Sequence, residues 1–142
     1  MANVLVTFLK EGRLGPLAPG MTREEVVSAC GEPESRAPNH TPDIWTYGSL
    51  QLSFVEDRLY FVQIEFQGML PKVPPAIVPE EDFFPGILVY EGFLRFLAEN
   101  NVSWHVLQSL TFDRQVALET GASVTIVFGD YGLDTVYLCI EP

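Results

Sequence analysis

Alternation across residues 50–66 constrains this chain more than any other feature. Leu50, Leu52 and Phe54 share one parity, with Gln51 and Ser53 on the other. Beyond the polar Glu56-Asp57-Arg58 segment, Tyr60, Val62, Ile64 and Phe66 continue an apolar parity opposite Gln63, Glu65 and Gln67. A period of two puts successive side chains on opposite faces of a strand, so the two runs predict a β-hairpin with one buried face. Its register stays open at this level. Trp45 and Tyr47, alternating with Thr46 and Gly48, predict a short strand ahead of the hairpin.

Residues 21–31, MTREEVVSACG, carry the clearest helix signal. Thr22 is placed to accept the orphan amide hydrogen bond near position 25, and Glu25 to return a bond to the cap backbone. Met21 and Val26 occupy the two positions of a hydrophobic staple. Gly31 suits a left-handed stop, and Pro33 blocks continuation, so the helix should be short. Upstream, Val4, Val6 and Phe8 predict an opening strand, broken by Gly12, Gly15, Pro16, Pro19 and Gly20. Those glycines lack the lysine-hydroxyl ending of a phosphate loop.

Residues 32–43, with Pro33, Pro38 and Pro42, predict a connecting loop. Five prolines between Pro71 and Pro85, together with Glu80, Glu81 and Asp82, mark a connector expected to be a solvated spacer, with an acidic recognition loop as the alternative. Tyr90, Phe93, Leu94, Phe96 and Leu97 give residues 87–99 an apolar helical face. Trp104, Val106 and Leu110 predict a strand. Val116 and Leu118, then Val124, Ile126 and Phe128, supply further alternating sets, and Gly129-Asp130-Tyr131-Gly132 is a turn. The last strand, Leu133 to Ile140, is apolar on both parities, as a central or interface strand would be.

Phe54 to Phe66 has a loose counterpart in Phe128 to Ile140. The expected fold class is α+β: an antiparallel sheet with two packed helices, either one continuous sheet or two tandem helix-loop-hairpin units. The division is a first helix-loop-hairpin unit at 1–70, a proline-rich acidic connector at 71–86, and a second helix-strand-hairpin unit at 87–142.

Charge excludes some partners. Across 142 residues, 8 Lys+Arg against 19 Asp+Glu give a formal charge of −11, so nonspecific attraction to nucleic acid or an anionic membrane has no source. The apolar run from Val4 to Leu9 is too short for a membrane span and lacks a cationic flank, which makes cytoplasmic residence the expectation. Cys30 and Cys139 sit among apolar neighbours and are expected to be buried, reduced thiols, with a single bridge as the alternative.

Gly20-Met21-Thr22, Val26, Gly31 and Pro33, followed by Trp45, Tyr47 and Leu52-Ser53-Phe54, resemble the SmpA/OmlA motif. That family comprises small lipoproteins of the outer-membrane β-barrel assembly machinery, and the related unit occurs in β-lactamase inhibitor proteins. The match covers residues 20–66. The resemblance implies helices packed on an antiparallel sheet and a role in binding another protein. In the tandem inhibitors, two such units form a concave sheet that grips an enzyme. No lipid-modified cysteine is matched, since Cys30 lies within the helix.

No residue pattern specifies an enzyme. His40 and His105 lie outside any metal-ligand spacing, Ser28 lacks the nucleophile elbow, and the adjacent carboxylates suit caps and turns. Neither cofactor nor metal is expected, and no catalytic residue is assigned. The favoured expectation is a protein-interaction module, such as an inhibitor or immunity protein that blocks a basic bacterial enzyme or toxin. The alternatives are a structural or envelope-assembly interaction protein and, third, a hydrolase; a homo-oligomer is compatible with all three. Candidate contacts are the aromatics Trp45, Tyr47, Tyr60, Trp104 and Tyr131, and an acidic rim of Glu56, Asp57, Glu80, Glu81, Asp82 and Asp130.

Overall fold

A computed structural model describes residues 3–37 and 43–140. Eight strands form one antiparallel open sheet in the order β1-β2-β3-β4-β8-β7-β6-β5. The first meander comprises β1 (Ser35–Ala37), β2 (Asp43–Tyr47), β3 (Leu50–Val55) and β4 (Arg58–Glu65). The second comprises β5 (Trp104–Val106), β6 (Val116–Thr120), β7 (Thr125–Gly129) and β8 (Gly132–Cys139). Three helices accompany them: α1 (Val4–Glu11), α2 (Arg23–Cys30) and α3 (Tyr90–Glu99). The fold is α+β, as the sequence predicts, with a helix more than expected. The last strands of the two meanders, β4 and β8, pair at the sheet centre, which accounts for the apolar residues on both parities of β8.

The local chemistry of α2 follows its sequence. Thr22 Oγ accepts from the Glu25 amide at 3.2 Å, and Glu25 accepts from the Thr22 amide at 2.9 Å. Together they satisfy two of the amides that a helix start leaves orphaned. The bond from the Thr22 backbone, more than that from its side chain, holds the Glu25 carboxyl below its ordinary range.

The segment predicted as an opening strand is instead α1. Asn3 caps it by accepting from the Val6 amide, and Gly12 ends it in the left-handed region at φ 77°. Leu5, Val6, Phe8 and Leu9 are all buried. An apolar set on both parities carries no period that separates a buried strand from a helix buried along most of its surface, so the alternation of Val4, Val6 and Phe8 misleads here.

Two hairpins repeat one irregularity. Ser53 pairs with Phe61 and Phe54 with Leu59, leaving Tyr60 bulged from β4. Val127 pairs with Thr135 and Phe128 with Leu133, leaving Asp134 bulged from β8. The loose counterpart read between Phe54–Phe66 and Phe128–Ile140 is therefore a structural correspondence, bulge included. The bulge also corrects the parity of β4. Leu59, not Tyr60, joins Val62 and Ile64 in the core, because the extra residue reverses which side chains face inward.

A single continuous core covers one face of the sheet. Trp45, Leu52, Phe54, Leu59, Val62 and Ile64 of the first meander join Leu118, Ile126, Phe128, Leu133, Val136 and Leu138 of the second. Phe93 of α3 meets Phe128 edge-on with ring centroids 5.5 Å apart, and Tyr90 meets it at 5.1 Å.

The connector is part of this core and not a solvated spacer. Ile77, Val78 and Phe83 are buried, as is Ile87 just beyond its end, and short 3₁₀ turns form at Glu80–Asp82 and Pro85–Leu88. Its apolar residues supply cover that the three short helices leave open, which no count of prolines and acids could show.

Cys30 is a half-buried thiol whose pKa is raised by burial, whereas Cys139 is exposed at the end of β8. The expectation of two buried thiols thus fails for Cys139, whose parity points away from the helices. None of the helices of the described residues is long and apolar enough to cross a membrane.

Candidate protein-binding face

The opposite face of the sheet lies outside the continuous core. One row of register partners crosses all eight strands: Ser35, Thr46, Gln51, Gln63, Tyr137, Thr125, Glu119 and His105. A second row holds Ile44, Ser53, Phe61 and Cys139. Cross-strand partners share a face, so pairing alone places these side chains together. None belongs to the core cluster.

Aromatic side chains occupy the centre of this face. Phe61 of β4 and Tyr137 of β8 lie 5.8 Å apart between ring centroids, and Tyr60 at the bulge is 6.4 Å from Phe61. All three are partly exposed. Around them stand the amides Gln51 and Gln63 and, toward β5, a contact of 3.2 Å between His105 Nε2 and Glu119 Oε1. At the β6 side, Val127 and Ala117 are buried without joining the core. There the loop after β5 folds against β6, with the Leu107 amide donating to the Ala117 carbonyl at 2.8 Å and the Ala117 amide to Thr111 Oγ at 3.1 Å.

Of the sequence candidates, only Tyr60 falls in this aromatic group. Trp45 and Tyr47 belong to the core at 1% and 3% exposure, because their parity is that of Leu52 and Leu50, their partners on β3. Tyr47 Oη donates to the Gly31 carbonyl at 2.8 Å, and burial pushes its pKa up to about 12. Trp104 stands exposed at the β5 edge, and Tyr131 projects from the β7–β8 turn at 85% exposure.

The acidic candidates do not converge on one rim. Asp57 accepts from the Arg23 amide at 3.2 Å and from its guanidinium at 2.9 Å, so its carboxyl lies below the ordinary range, chiefly through the backbone bond. Asp82 accepts from the Val4 amide at 2.7 Å, at the start of α1. Both are structural ligands of helix starts. Glu56 is exposed on the β3–β4 turn. Asp130 lies 3.9 Å from Arg114 on the β7–β8 turn, at the other end of the sheet because β4 and β8 run antiparallel. Glu80 and Glu81 are exposed on the connector.

Phe61 and Tyr137 were missed as sequence candidates. Their signal was present, since both are aromatic on the parity opposite the core, but only the bulge and the β4–β8 pairing bring them into contact. Among the described residues, no group of three or more His, Cys, Asp or Glu is placed to hold a metal ion. His40 lies outside the described residues.

No protein-family model matches the chain, and no curated protein matches it. Among solved structures, it is similar to an extracellular protein containing a SCP domain from Bacillus anthracis str. Ames, at 15% identity and a TM-score of 0.45. The match covers 86% of this chain and 44% of that one, so the chain spans less than half the length of the protein it resembles.

Proposed function

We propose that this chain is a protein-interaction module that receives its partner on the central part of the sheet face opposite the helices, and that it acts as an inhibitor or immunity protein by filling the cleft of a basic bacterial enzyme or toxin. The observation that carries this reading is the Tyr60, Phe61 and Tyr137 group, partly exposed at the middle of an eight-stranded sheet. Aromatic rings beside amides give large contact area with little rotamer entropy to lose, which is the chemistry of interface hot spots. The surplus of acids would speed encounter with a cationic partner without itself fixing the contact. The resemblance of residues 20–66 to SmpA/OmlA-like proteins and tandem inhibitors points the same way.

The test uses the whole chain as an affinity bait in its native cell extract, beside a Phe61→Ala/Tyr137→Ala variant. A basic enzyme retained by the native chain, lost by the variant and inhibited on binding is the expected result. Equal retention by both chains would remove the sheet face from the reading. Retention without inhibition would make the chain an assembly protein instead.

A further inference from the structure

The geometry points to a second docking site, separate from the sheet face: a groove that takes an extended peptide segment of a protein partner by one arginine side chain. The groove lies between the connector and the β2–β3 turn. It encloses about 420 Å³, with a lobe of about 550 Å³ adjoining it across Pro71, Lys72, Glu80 and Phe83. Two open lobes that share a wall suit an extended segment better than a compact metabolite.

The walls are held in place. The Ser49 amide donates to the Lys72 carbonyl at 2.8 Å, and the Lys72 amide donates to Ser49 Oγ at 2.9 Å. Gly48 adopts φ 60°, and a Cβ there would stand 2.2 Å from the Lys72 carbonyl oxygen, so only glycine permits this approach. Behind the groove, Phe83 packs edge-on against Phe66 at 5.8 Å. A site built this rigidly loses little entropy when filled.

Charge and surface select the occupant. Pro71, Pro74 and Phe83 give apolar walls, while Glu34, Glu80 and Glu81 border the two lobes against Lys72, the one cation lining them among the described residues. Among the described residues, none of the three glutamates is in an ion pair. An arginine lays its stem and planar head on flat apolar surface and presents a fork of donors to carboxylates, which matches this lining more fully than an ammonium does.

The experiment is a titration of the isotope-labelled full chain, followed by amide NMR. The probe is a five-residue peptide with arginine at its centre and alanine elsewhere. Its citrulline analogue keeps the shape without the charge. Shifts gathered at Gly48, Lys72, Val73 and Phe83 are expected with arginine and absent with citrulline. Glu80→Gln/Glu81→Gln should weaken binding about tenfold, the loss of roughly one charge-assisted contact. An equal charge removal on α3, Glu91→Gln/Glu99→Gln, should leave it unchanged, and Lys72→Gln should strengthen it. Shifts spread over the acidic surface, equal weakening by the two double variants, or no shifts at millimolar peptide would overturn the site. Equal binding of spermidine would overturn the peptide occupant. Because the readout lies away from Phe61 and Tyr137, failure here and failure of the sheet-face reading are separable.

Discussion

Gln63 and Tyr137 face each other at the point about which the register of the whole sheet reverses. Phe61 pairs with Cys139, Val62 with Leu138, Ile64 with Val136 and Glu65 with Thr135. The two bulged hairpins match β4 to β8 so that Gln63 corresponds to Tyr137, Val62 to Val136 and Ile64 to Leu138. Each pair across the seam is therefore the image of another, as in a self-complementary two-fold interface. One core runs beneath both halves. Urea unfolding should then follow one transition: with Trp45 alone reporting on the first meander in a Trp104→Phe chain, and Trp104 alone on the second in a Trp45→Phe chain, each chain's fluorescence midpoint should coincide with its own far-ultraviolet circular dichroism midpoint. Separate midpoints would show halves that unfold independently.

The correspondence also makes Phe54 and Phe128 equivalent, at 1% and 4% exposure. Replacing either with alanine should cost about 3–5 kcal/mol, the range for buried aromatics. Similar losses at the two sites, measured by denaturant unfolding, are expected because each ring packs against neighbours of its own half: Trp45 at 4.7 Å, and Phe93 at 5.5 Å.

Arg23 joins α2 to the sheet through Asp43 at 2.8 Å and Asp57 at 2.9 Å, with its guanidinium 5.2 Å from the centre of the Phe54 ring. The Asp43 hydrogen bond is the main cause of the raised Arg23 pKa. Arg23→Met should cost about 1–2 kcal/mol, less than the loss expected for a fully buried pair, since the arginine side chain is one-third exposed.

Acid should act through the same contact. The Asp57 and Glu25 carboxyls titrate below their ordinary range, so their stabilisation is present above about pH 4 and lost as pH falls through their folded values. Asp57→Asn/Glu25→Gln should therefore show a shallower decline in urea midpoint between about pH 5 and 2 than the native chain.

Alkali should act through Tyr47. Its pKa is raised from 10.0 to about 12, so folding favours the neutral phenol, and stability should fall as pH rises through that window. Tyr47→Phe should lose about 1 kcal/mol at neutral pH with the Gly31 hydrogen bond and flatten this alkaline decline. An unchanged decline in the variant would assign it to other groups.

Local chemistry was legible wherever neighbours in sequence are also partners. Thr22 and Glu25 stand three residues apart, so the capping box could be read directly, and the 50–66 alternation gave the hairpin. The same local view failed for α1, where apolar residues on both parities hide the period. It failed again for the candidate contact residues. Asp57 and Asp82 look like free surface acids, yet their partners Arg23 and Val4 lie far away in sequence. Phe61 looks like an outlier until β8 brings Tyr137 beside it.

Residue order alone therefore determined the α+β class, the α2 cap, the turns and the weak echo between the two hairpins, because each depends on backbone preferences within a few positions. Tertiary structure decided which aromatics face outward, which carboxylates are already engaged, and that the proline-rich connector seals the core. Those outcomes depend on a one-residue bulge and on pairing between strands more than 60 residues apart, where a shift of one position exchanges the buried face for the exposed one.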